Sequence, residues 1–294
     1  EKTNNEIYEK MSEYLHGEIS KLVKKSKQIN NDIVEDSFRE ISVNKIKNIT
    51  EIILVYDGKK FYLGKTKIIF NSKSYIKRDL SRPFQDSSIS ISPRIARMLV
   101  NLLGLKKGQI VLDPFCGTGT FLIEALILGL DVMGTDKRKE CVDGTRKNLQ
   151  WIDKNHKQIK NHITINDAEK LGNFSQRSID GIVTEPILLP NFKNYPNTKK
   201  TKELLKIARK IYVKAMISMN RVLRENGKVV IVTPRVKTNQ GEFISLDTLN
   251  MIKESRFRVS RIHKNNQPII VKYSKDQKIV REVWVIQKNK LNQS

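Results

Sequence analysis

The sequence predicts an α/β fold with a mostly parallel sheet, preceded by a small α+β region. Short apolar runs alternate with helical segments through five units between residues 110 and 233, the pattern of a parallel sheet covered by helices. The first four runs each end at an acidic side chain: Asp113, Asp136, Asp167 and Glu185. Ligands of parallel α/β sheets bind at the carboxyl ends of the strands, so we expect the site there.

The chain is strongly basic. It carries 55 Lys and Arg against 31 Asp and Glu in 294 residues, a formal net charge of +24. A surplus of this size predicts a polyanionic partner, RNA or DNA. A coding sequence rich in A and T would also produce the abundance of Lys, Asn and Ile, so charge alone does not establish nucleic-acid binding. The length leaves room for two domains.

Hydropathy and cysteine usage favour a protein of the reducing cytosol. No apolar run approaches the ~18 residues of a membrane span, and no signal-peptide pattern is present. The two cysteines, Cys116 and Cys141, show neither metal-ligand spacing nor a disulfide framework. We therefore predict a cytoplasmic protein with no metal site and no membrane partner.

The N-terminal region, residues 1–74, reads as a small α+β unit. Apolar residues recur at helical spacing over residues 3–28, with a Lys-rich opposite face, and residues 38–45 alternate weakly as a strand does. Asp57-Gly58 between two apolar alternations predicts a β-hairpin over residues 52–69. The chain opens at Glu1 without an initiator Met, and we expect it to begin partway into this unit.

Residues 75–92 are predicted to link the two parts, and Pro93 suits the first turn of a helix. Four arginines in and after this linker could contact nucleic-acid phosphates: Arg78, Arg82, Arg94 and Arg97. Alternatively, Arg78 and Arg82 pair with Asp79 and Asp86 and fix the linker.

A Gly-rich turn organises the second part. Ile110 to Leu112 predict a buried strand, Gly117 and Gly119 a sharp turn, and the apolar run that follows a buried helix ended by Gly129. The third Gly of a dinucleotide fingerprint is absent, as is the Gly-Lys-Ser/Thr of a phosphate-binding loop. Asp113 would repel a pyrophosphate but suits a cation. S-adenosylmethionine, with a sulfonium and an ammonium, fits this electrostatic requirement.

The run Asp-Pro-Phe-Cys-Gly-Thr-Gly-Thr-Phe-Leu-Ile-Glu-Ala, from Asp113 to Ala125, resembles the first motif of the class I methyltransferases. It is most similar to the THUMP-associated tRNA guanine-N2 methyltransferases, the Trm11-like and archaeal group. A Tyr…Arg-Asp…Arg-Pro stretch between Tyr75 and Pro83 is similar to one in the same group.

This resemblance implies a Rossmann-like methyltransferase domain over residues 93–290, with an antiparallel last strand, and a partial THUMP-like RNA-binding domain over residues 1–74. It implies S-adenosyl-L-methionine as cofactor and RNA, foremost tRNA, as partner, and it leaves room for a protein partner subunit.

The resemblance also assigns the cofactor site to these residues: Asp113, Phe115, Cys116, Gly117, Thr118, Gly119, Asp136, Asp167 and Ala168. Asp136 stands at the end of the second strand, where a carboxylate accepts hydrogen bonds from ribose hydroxyls. It could also cap a helix from Lys137 to Trp151. Asp167 would accept from the adenine amine, with Ala168 beside it.

The predicted catalytic residues are Glu185 and Pro186, after the fourth strand. Amino-methyltransferases carry Asp/Asn-Pro-Pro-Tyr/Phe here, because the acid and the Pro carbonyl accept the two N–H bonds of the target amine and orient its lone pair. This chain reads Glu-Pro-Ile-Leu, so the acceptor pair is kept and the stacking ring is lost. Phe192 or Tyr195 could supply the ring, and Ile187 and Leu188 are equally explained by packing.

Three functions remain open from the sequence. The first is an S-adenosylmethionine-dependent RNA methyltransferase acting on the exocyclic amine of a tRNA guanine. The second is a DNA amino-methyltransferase, which shares the motif chemistry but for which no DNA-recognition domain is visible. The third is a non-catalytic RNA-binding scaffold or partner subunit, favoured by the altered Glu-Pro-Ile-Leu run.

Overall fold

The computed structural model describes residues 52–56, 61–65, 70–86, 91–153, 162–186, 189–190, 192–272 and 277–289. It divides into two compact units, Glu1–Phe70 and Asn71–Ser294. In the first unit, β1 (Ile52–Tyr56) and β2 (Phe61–Lys65) pair antiparallel, as the Asp-Gly signal predicts. The predicted helix over 3–28 and strand over 38–45 lie outside the described residues, and the assignment of residues 1–74 to a THUMP-like domain stays a prediction.

The second unit is built on one mixed sheet. Its strands are β3 (Ile110–Asp113), β4 (Asp131–Asp136), β5 (Ile163–Ile165), β6 (Ile179–Thr184), β7 (Leu223–Lys237), β8 (Phe243–Ser245), β9 (Phe257–Val259), β10 (Ile269–Val271) and β11 (Ile279–Lys288). The spatial order is β10-β11-β7-β6-β3-β4-β5, with β8 on β7 and β9 on β11. The five strands from β5 to β7 pair in parallel, whereas β11 is antiparallel to β7. This confirms the predicted Rossmann-like sheet with an antiparallel last strand.

Helices cover both faces of this sheet. They are α1 (Ser72–Leu80), α2 (Pro93–Leu102), α3 (Thr120–Ile127), α4 (Lys139–Ile152), α5 (Thr198–Val222) and α6 (Thr248–Glu254). Alternate side chains of a strand point to opposite faces, so Val229 and Ile231 pack with α5 and α6, while Val230 packs with α2, α3 and α4. None of the described helices is both long and apolar enough to cross a membrane.

Capping residues set the helix boundaries. The Ser92 side chain accepts a hydrogen bond from the Ile95 amide at the start of α2, and Pro93 occupies its first turn, as predicted. The sequence pattern predicts a long helix that starts at about Lys202, but the Asn197 side chain caps α5, so this helix begins four residues earlier, at Thr198. Gly129, in the left-handed region, follows the end of α3.

One strand begins earlier than predicted, and two strands were not predicted. The apolar run from Lys228 to Thr233 predicts a strand that begins at Lys228, but β7 begins at Leu223. Its pairing with β6 shifts register between Ile179–Leu223 and Gly181–Lys228. The three-residue strands β8 and β10 were missed, since so few residues show no periodicity.

Gly119 occupies the tightest position of the turn between β3 and α3. Its φ of +77° is left-handed, and it is the N-cap of α3 without a side-chain hydrogen bond. A Cβ added there would lie 2.7 Å from Cγ2 of Thr145. Thr145 is held in place because its hydroxyl donates to the Gly117 carbonyl at 2.9 Å. Both conformation and space therefore require glycine.

A buried acid on α3 holds α1 and α2 in place. The Glu124 side chain is fully buried, accepting from Arg78 Nε at 2.5 Å and from Arg97 Nε at 2.8 Å. The sequence offered Asp79 and Asp86 as partners for Arg78 and Arg82, whereas the partner of Arg78 in the structure is Glu124. A carboxylate inside the apolar packing of α3 requires opposite charge, and two helices supply it.

Glu124→Gln should lower the free energy of unfolding by about 3–5 kcal/mol, because it leaves two buried guanidinium groups without their counter-charge. Urea denaturation followed by circular dichroism measures this. The control is Glu254→Gln, which breaks the surface pair with Arg209 and should cost less than about 1 kcal/mol. Equal effects for the two variants would contradict a structural role for the buried pair.

Gly119→Ala should destabilise the protein by about 2–5 kcal/mol, the sum of the left-handed conformation and overpacking against Thr145. Gly241→Ala is the matched control, since Gly241 has φ +83° and its added Cβ would meet no described atom within 4 Å. That control isolates the conformational part, about 1–2 kcal/mol. Thermal or urea unfolding measures the loss of unfolding free energy in each variant. Equal losses in the two variants would contradict overpacking against Thr145.

Candidate active site

A cavity of about 310 Å³ opens where β3, β4 and β6 end. Eight of the predicted site residues line it: Asp113, Phe115, Cys116, Gly117, Thr118, Asp136, Glu185 and Pro186. The other lining residues, which the sequence analysis did not assign to the site, are Ile91, Thr120, Phe121, Lys137, Arg138 and Ile211. The predicted cofactor and catalytic stretches therefore share one cavity, although they stand some 70 residues apart in the chain.

The Gly-rich turn is fixed by its neighbours. The Cys116 amide donates to the Thr135 carbonyl at 2.8 Å, and the Gly119 amide donates to the Cys116 carbonyl at 2.7 Å. The Cys116 side chain is buried, and this burial raises the pKa of its thiol well above the usual value. Cys116 is thus a neutral packing residue at neutral pH and no nucleophile.

Asp113 is the most deeply buried carboxylate of the cavity, at 1% exposure. Its Oδ1 accepts from the Thr184 hydroxyl at 2.8 Å and from the Phe115 amide at 3.1 Å. Burial raises the pKa of Asp113 to about 7; the two hydrogen bonds oppose this, and the charges of Asp136 and Glu185 add to it. A cation bound in the cavity would lower this pKa by stabilising the ionised form of Asp113.

Asp136 ends β4 and binds the Gly-rich turn. Its Oδ2 accepts from the Gly117 amide at 3.0 Å and its Oδ1 from the Arg138 amide at 2.9 Å. The alternative prediction that it caps the next helix is wrong, because α4 begins at Lys139 and its N-cap is Arg138. The carboxylate instead joins the ends of two adjacent strands.

Asp167 and Ala168 follow β5 and, among the described residues, stand outside the cavity lining together with Gly119. Asp167 pairs with Lys137 Nζ at 3.2 Å, and Lys137 does line the cavity. Partial burial raises the pKa of Asp167, but the Glu169 amide and Lys137 outweigh it, so the pKa is lowered overall. Asp167 is therefore an ionised group behind Lys137, and its contact with an adenine amine stays a prediction.

Glu185, directly after β6, forms an ion pair that the sequence analysis missed. Its Oε1 accepts from Arg281 Nε at 2.7 Å and its Oε2 from Nη2 at 3.3 Å. The two side chains are 9% and 11% exposed. Burial raises the pKa of Glu185, and Arg281 opposes the rise. The available signal was an arginine within the apolar run of β11, Ile279–Lys288, where a charge needs a partner. Ile187 and Leu188 lie outside the described residues.

The aromatic candidates Phe192 and Tyr195 are not among the residues that line the cavity. Phe192 packs on the core, and its carbonyl accepts from Lys278 Nζ at 2.8 Å. The Tyr195 ring has Lys237 Nζ at 5.5 Å and Lys278 Nζ at 6.0 Å from its centroid. Their role as a stacking ring stays a prediction.

Arg82 contacts Thr120, one of the residues that line the cavity. Its Nη1 donates to Thr120 Oγ1 at 2.7 Å, and Thr120 contacts the Thr118 hydroxyl at 3.2 Å. Arg82 is 4% exposed and Arg78 is held by Glu124, so the geometry favours structural roles for both. Their contact with phosphates stays a prediction.

Residues 81–265 match the sequence model of the RMKL-like methyltransferase domain. A second model, described as DNA methylase, matches residues 2–147. The crystal structure of TrmN from Thermus thermophilus aligns with 82% of this chain and 60% of its own, at 19% identity and a TM-score of 0.47.

Two curated relatives carry the name tRNA (guanine(10)-N2)-dimethyltransferase. The one from Methanothermobacter thermautotrophicus is 34% identical over 160 residues, 52% of this chain and 44% of the relative. The one from Pyrococcus abyssi is 36% identical over 137 residues, 46% of this chain and 40% of the relative. This chain thus matches less than half the length of these relatives. The domain model covers well over half of this chain, which therefore belongs to the RMKL-like methyltransferase family.

Proposed function

We propose that this chain is an S-adenosylmethionine-dependent methyltransferase that methylates the exocyclic amine of a guanine in tRNA. One observation carries the proposal: the Gly-rich turn with Asp113 and Asp136, and the acceptor pair Glu185-Pro186, line the same cavity. A methyl donor and a nucleophilic amine must meet at bonding distance, so both sites have to open into one space.

The residues of the cavity fit a cationic cofactor. Its volume of about 310 Å³ lies at the lower end of small-molecule sites, which span roughly 300–1,000 Å³. Burial is the main cause of the raised pKa of Asp113, and the negative charges of Asp136 and Glu185 add to it. S-adenosylmethionine would supply the methyl group on a positively charged sulfur. Asp113 would hold the cationic part of the donor, and Asp136 its ribose hydroxyls.

The acceptor side requires an ionised Glu185. A carboxylate accepts hydrogen bonds at both oxygens, whereas a carboxylic acid donates at one of them. The carboxylate and the Pro186 carbonyl would together accept the two N–H bonds of the target amine. This orients the nitrogen lone pair toward the methyl group and stabilises the charge that develops on the nitrogen.

The choice of tRNA guanine rests on the printed names of the two relatives and on the charge of +24, which suits a polyanionic substrate. A cytoplasmic location is part of the proposal and is supported by the two free, buried thiols of Cys116 and Cys141. A DNA amino-methyltransferase is the second candidate, favoured by the DNA methylase model over residues 2–147. The two candidates share the amine chemistry and differ in substrate.

Glu185→Gln should reduce transfer of a tritiated methyl group to bulk tRNA by about 10²-fold or more, because one charged acceptor of the amine is lost. Calorimetry should still show binding of S-adenosylmethionine, because Asp113 and Asp136 remain, and the surface variant Glu254→Gln should retain full transfer. Parallel assays use duplex DNA. Transfer by the wild type to DNA alone would establish the second candidate, and cofactor binding without transfer to either would mark a non-catalytic scaffold.

S-adenosylmethionine should bind more weakly as the pH falls below about 7, the pKa of Asp113 in the free protein. The sign follows because a cation lowers that pKa, so binding at lower pH must displace a proton, while above pH 7 the affinity levels off. Calorimetry in two buffers of different ionisation enthalpy measures the released proton. Asp113→Asn should abolish the release, whereas Asp143→Asn, at an exposed acid, should preserve it; release retained in Asp113→Asn would refute the assignment.

A further inference from the structure

Arg281 lies on β11, the strand that pairs antiparallel with β7 beyond the parallel part of the sheet. In the β11–β7 register it stands opposite Pro234, and its guanidinium reaches across β7 to the end of β6. There it meets Glu185 through two contacts, Nε to Oε1 and Nη2 to Oε2. A two-pronged contact of this kind fixes the plane of a carboxylate as well as its position.

We propose that Arg281 is the positioning residue of the methyl-transfer step: it keeps Glu185 ionised and oriented to accept from the target amine. The inference rests on the proposed function. Arg281 takes two of the roughly four lone-pair positions of the carboxylate. The remaining positions are left for the N–H bond of a substrate, so the ion pair and the catalytic role are compatible.

Arg281 offsets the greater conformational freedom of a glutamate at this position. Glutamate has one more rotatable bond than the aspartate or asparagine of the expected motif, so its carboxylate is less well placed by the backbone alone. Clamping by a planar fork removes that freedom before the substrate binds. This chain therefore has glutamate where the motif has aspartate or asparagine, together with an arginine on β11 that orients the longer side chain.

The charges around Glu185 show why a cation is needed there. Asp113 at the end of β3 and Asp136 at the end of β4 line the same cavity, and both are acidic. Lys137 and Arg138 line it as well, with Lys137 paired to Asp167 and Arg138 to Asp136. α5 contributes the apolar Ile211. Burial raises the pKa of Glu185, and Arg281 is the cation in direct contact that opposes it.

The neighbouring Arg235 provides a matched control. It lies on β7 and pairs with Glu282 at 3.9 Å, while Glu282 also accepts from the Ser245 hydroxyl. Glu282 follows Arg281 directly, so it points to the opposite face of β11, away from Glu185. Arg235→Gln therefore removes an arginine–glutamate contact from the same sheet without touching the proposed site.

The test measures single-turnover methyl transfer to tRNA against pH for the wild type, Arg281→Gln, Arg281→Lys and Arg235→Gln, all saturated with S-adenosylmethionine. Arg281→Gln should lower the rate about 10²-fold near neutral pH and move the acidic limb of the profile to higher pH. In Arg281→Lys the acidic limb should lie between those of the wild type and Arg281→Gln, because lysine keeps the positive charge but cannot make the two-pronged contact. Arg235→Gln should leave the profile of the wild type.

A double variant separates action through Glu185 from general damage. If Arg281 acts through Glu185, Glu185→Gln/Arg281→Gln should be no slower than Glu185→Gln alone. Additive losses, or an acidic limb that does not move in Arg281→Gln, would overturn the proposal. If Arg281→Gln fails to fold, Arg281→Lys is the test. A wild-type rate and pH profile in Arg281→Lys would also overturn the proposal, since the two-pronged contact would then not be required.

Carbon-13 NMR of glutamate-labelled protein keeps this inference apart from the proposed function. The Glu185 carboxyl signal, assigned by its loss in Glu185→Gln, should titrate at higher pH in Arg281→Lys than in the wild type, because a lysine replaces the two-pronged contact with a weaker one. An unchanged titration refutes the clamp. Absence of methyl transfer by the wild type would refute the function and leave the titration to decide the ion pair.

Discussion

The burial of carboxylates at the ends of parallel strands is the constraint on which this site depends. Asp113, Asp136 and Glu185 are brought to one edge of the sheet, where water is partly excluded and like charges face one another. Each must be satisfied separately: Asp113 by the Thr184 hydroxyl, Asp136 by backbone amides, and Glu185 by Arg281. The cavity keeps an acidic lining because each group has its own donors, and the residual repulsion is what a cationic ligand would relieve.

The same rule fixes the helices that precede the sheet. Glu124 on α3 is fully buried and joins Arg78 of α1 to Arg97 of α2. Nearby, Arg82 contacts Thr120, and Asn148 of α4 donates to the carbonyls of both Thr118 and Phe84. The segment before α2 is therefore bound to the Gly-rich turn by polar contacts. In this segment Arg78 and Arg82 are buried, and they donate to Glu124 and Thr120 of α3.

The sequence identified the residues of the Gly-rich turn and the acidic strand ends, since each of them follows an apolar run that the hydrophobic pattern marks as a strand. It did not identify the partner of Glu185, because Arg281 lies 96 positions later on a strand of opposite direction. It also misassigned the cap of α4, since two non-helical residues, Lys137 and Arg138, follow Asp136 before the helix begins at Lys139. Short-range patterns indicate where strands and turns lie along the chain, whereas ion pairs across a sheet depend on which strands become neighbours.

By itself, the sequence determined the α/β class, the five parallel strands and the turn that requires glycine, because hydrophobic periodicity and backbone conformation act between residues close in the chain. Only the tertiary structure decided which charges are buried together: Glu124 with Arg78 and Arg97, and Glu185 with Arg281. A buried charge is tolerated where the fold brings a counter-charge to it. That pairing belongs to the packed arrangement of distant segments and leaves no local signature.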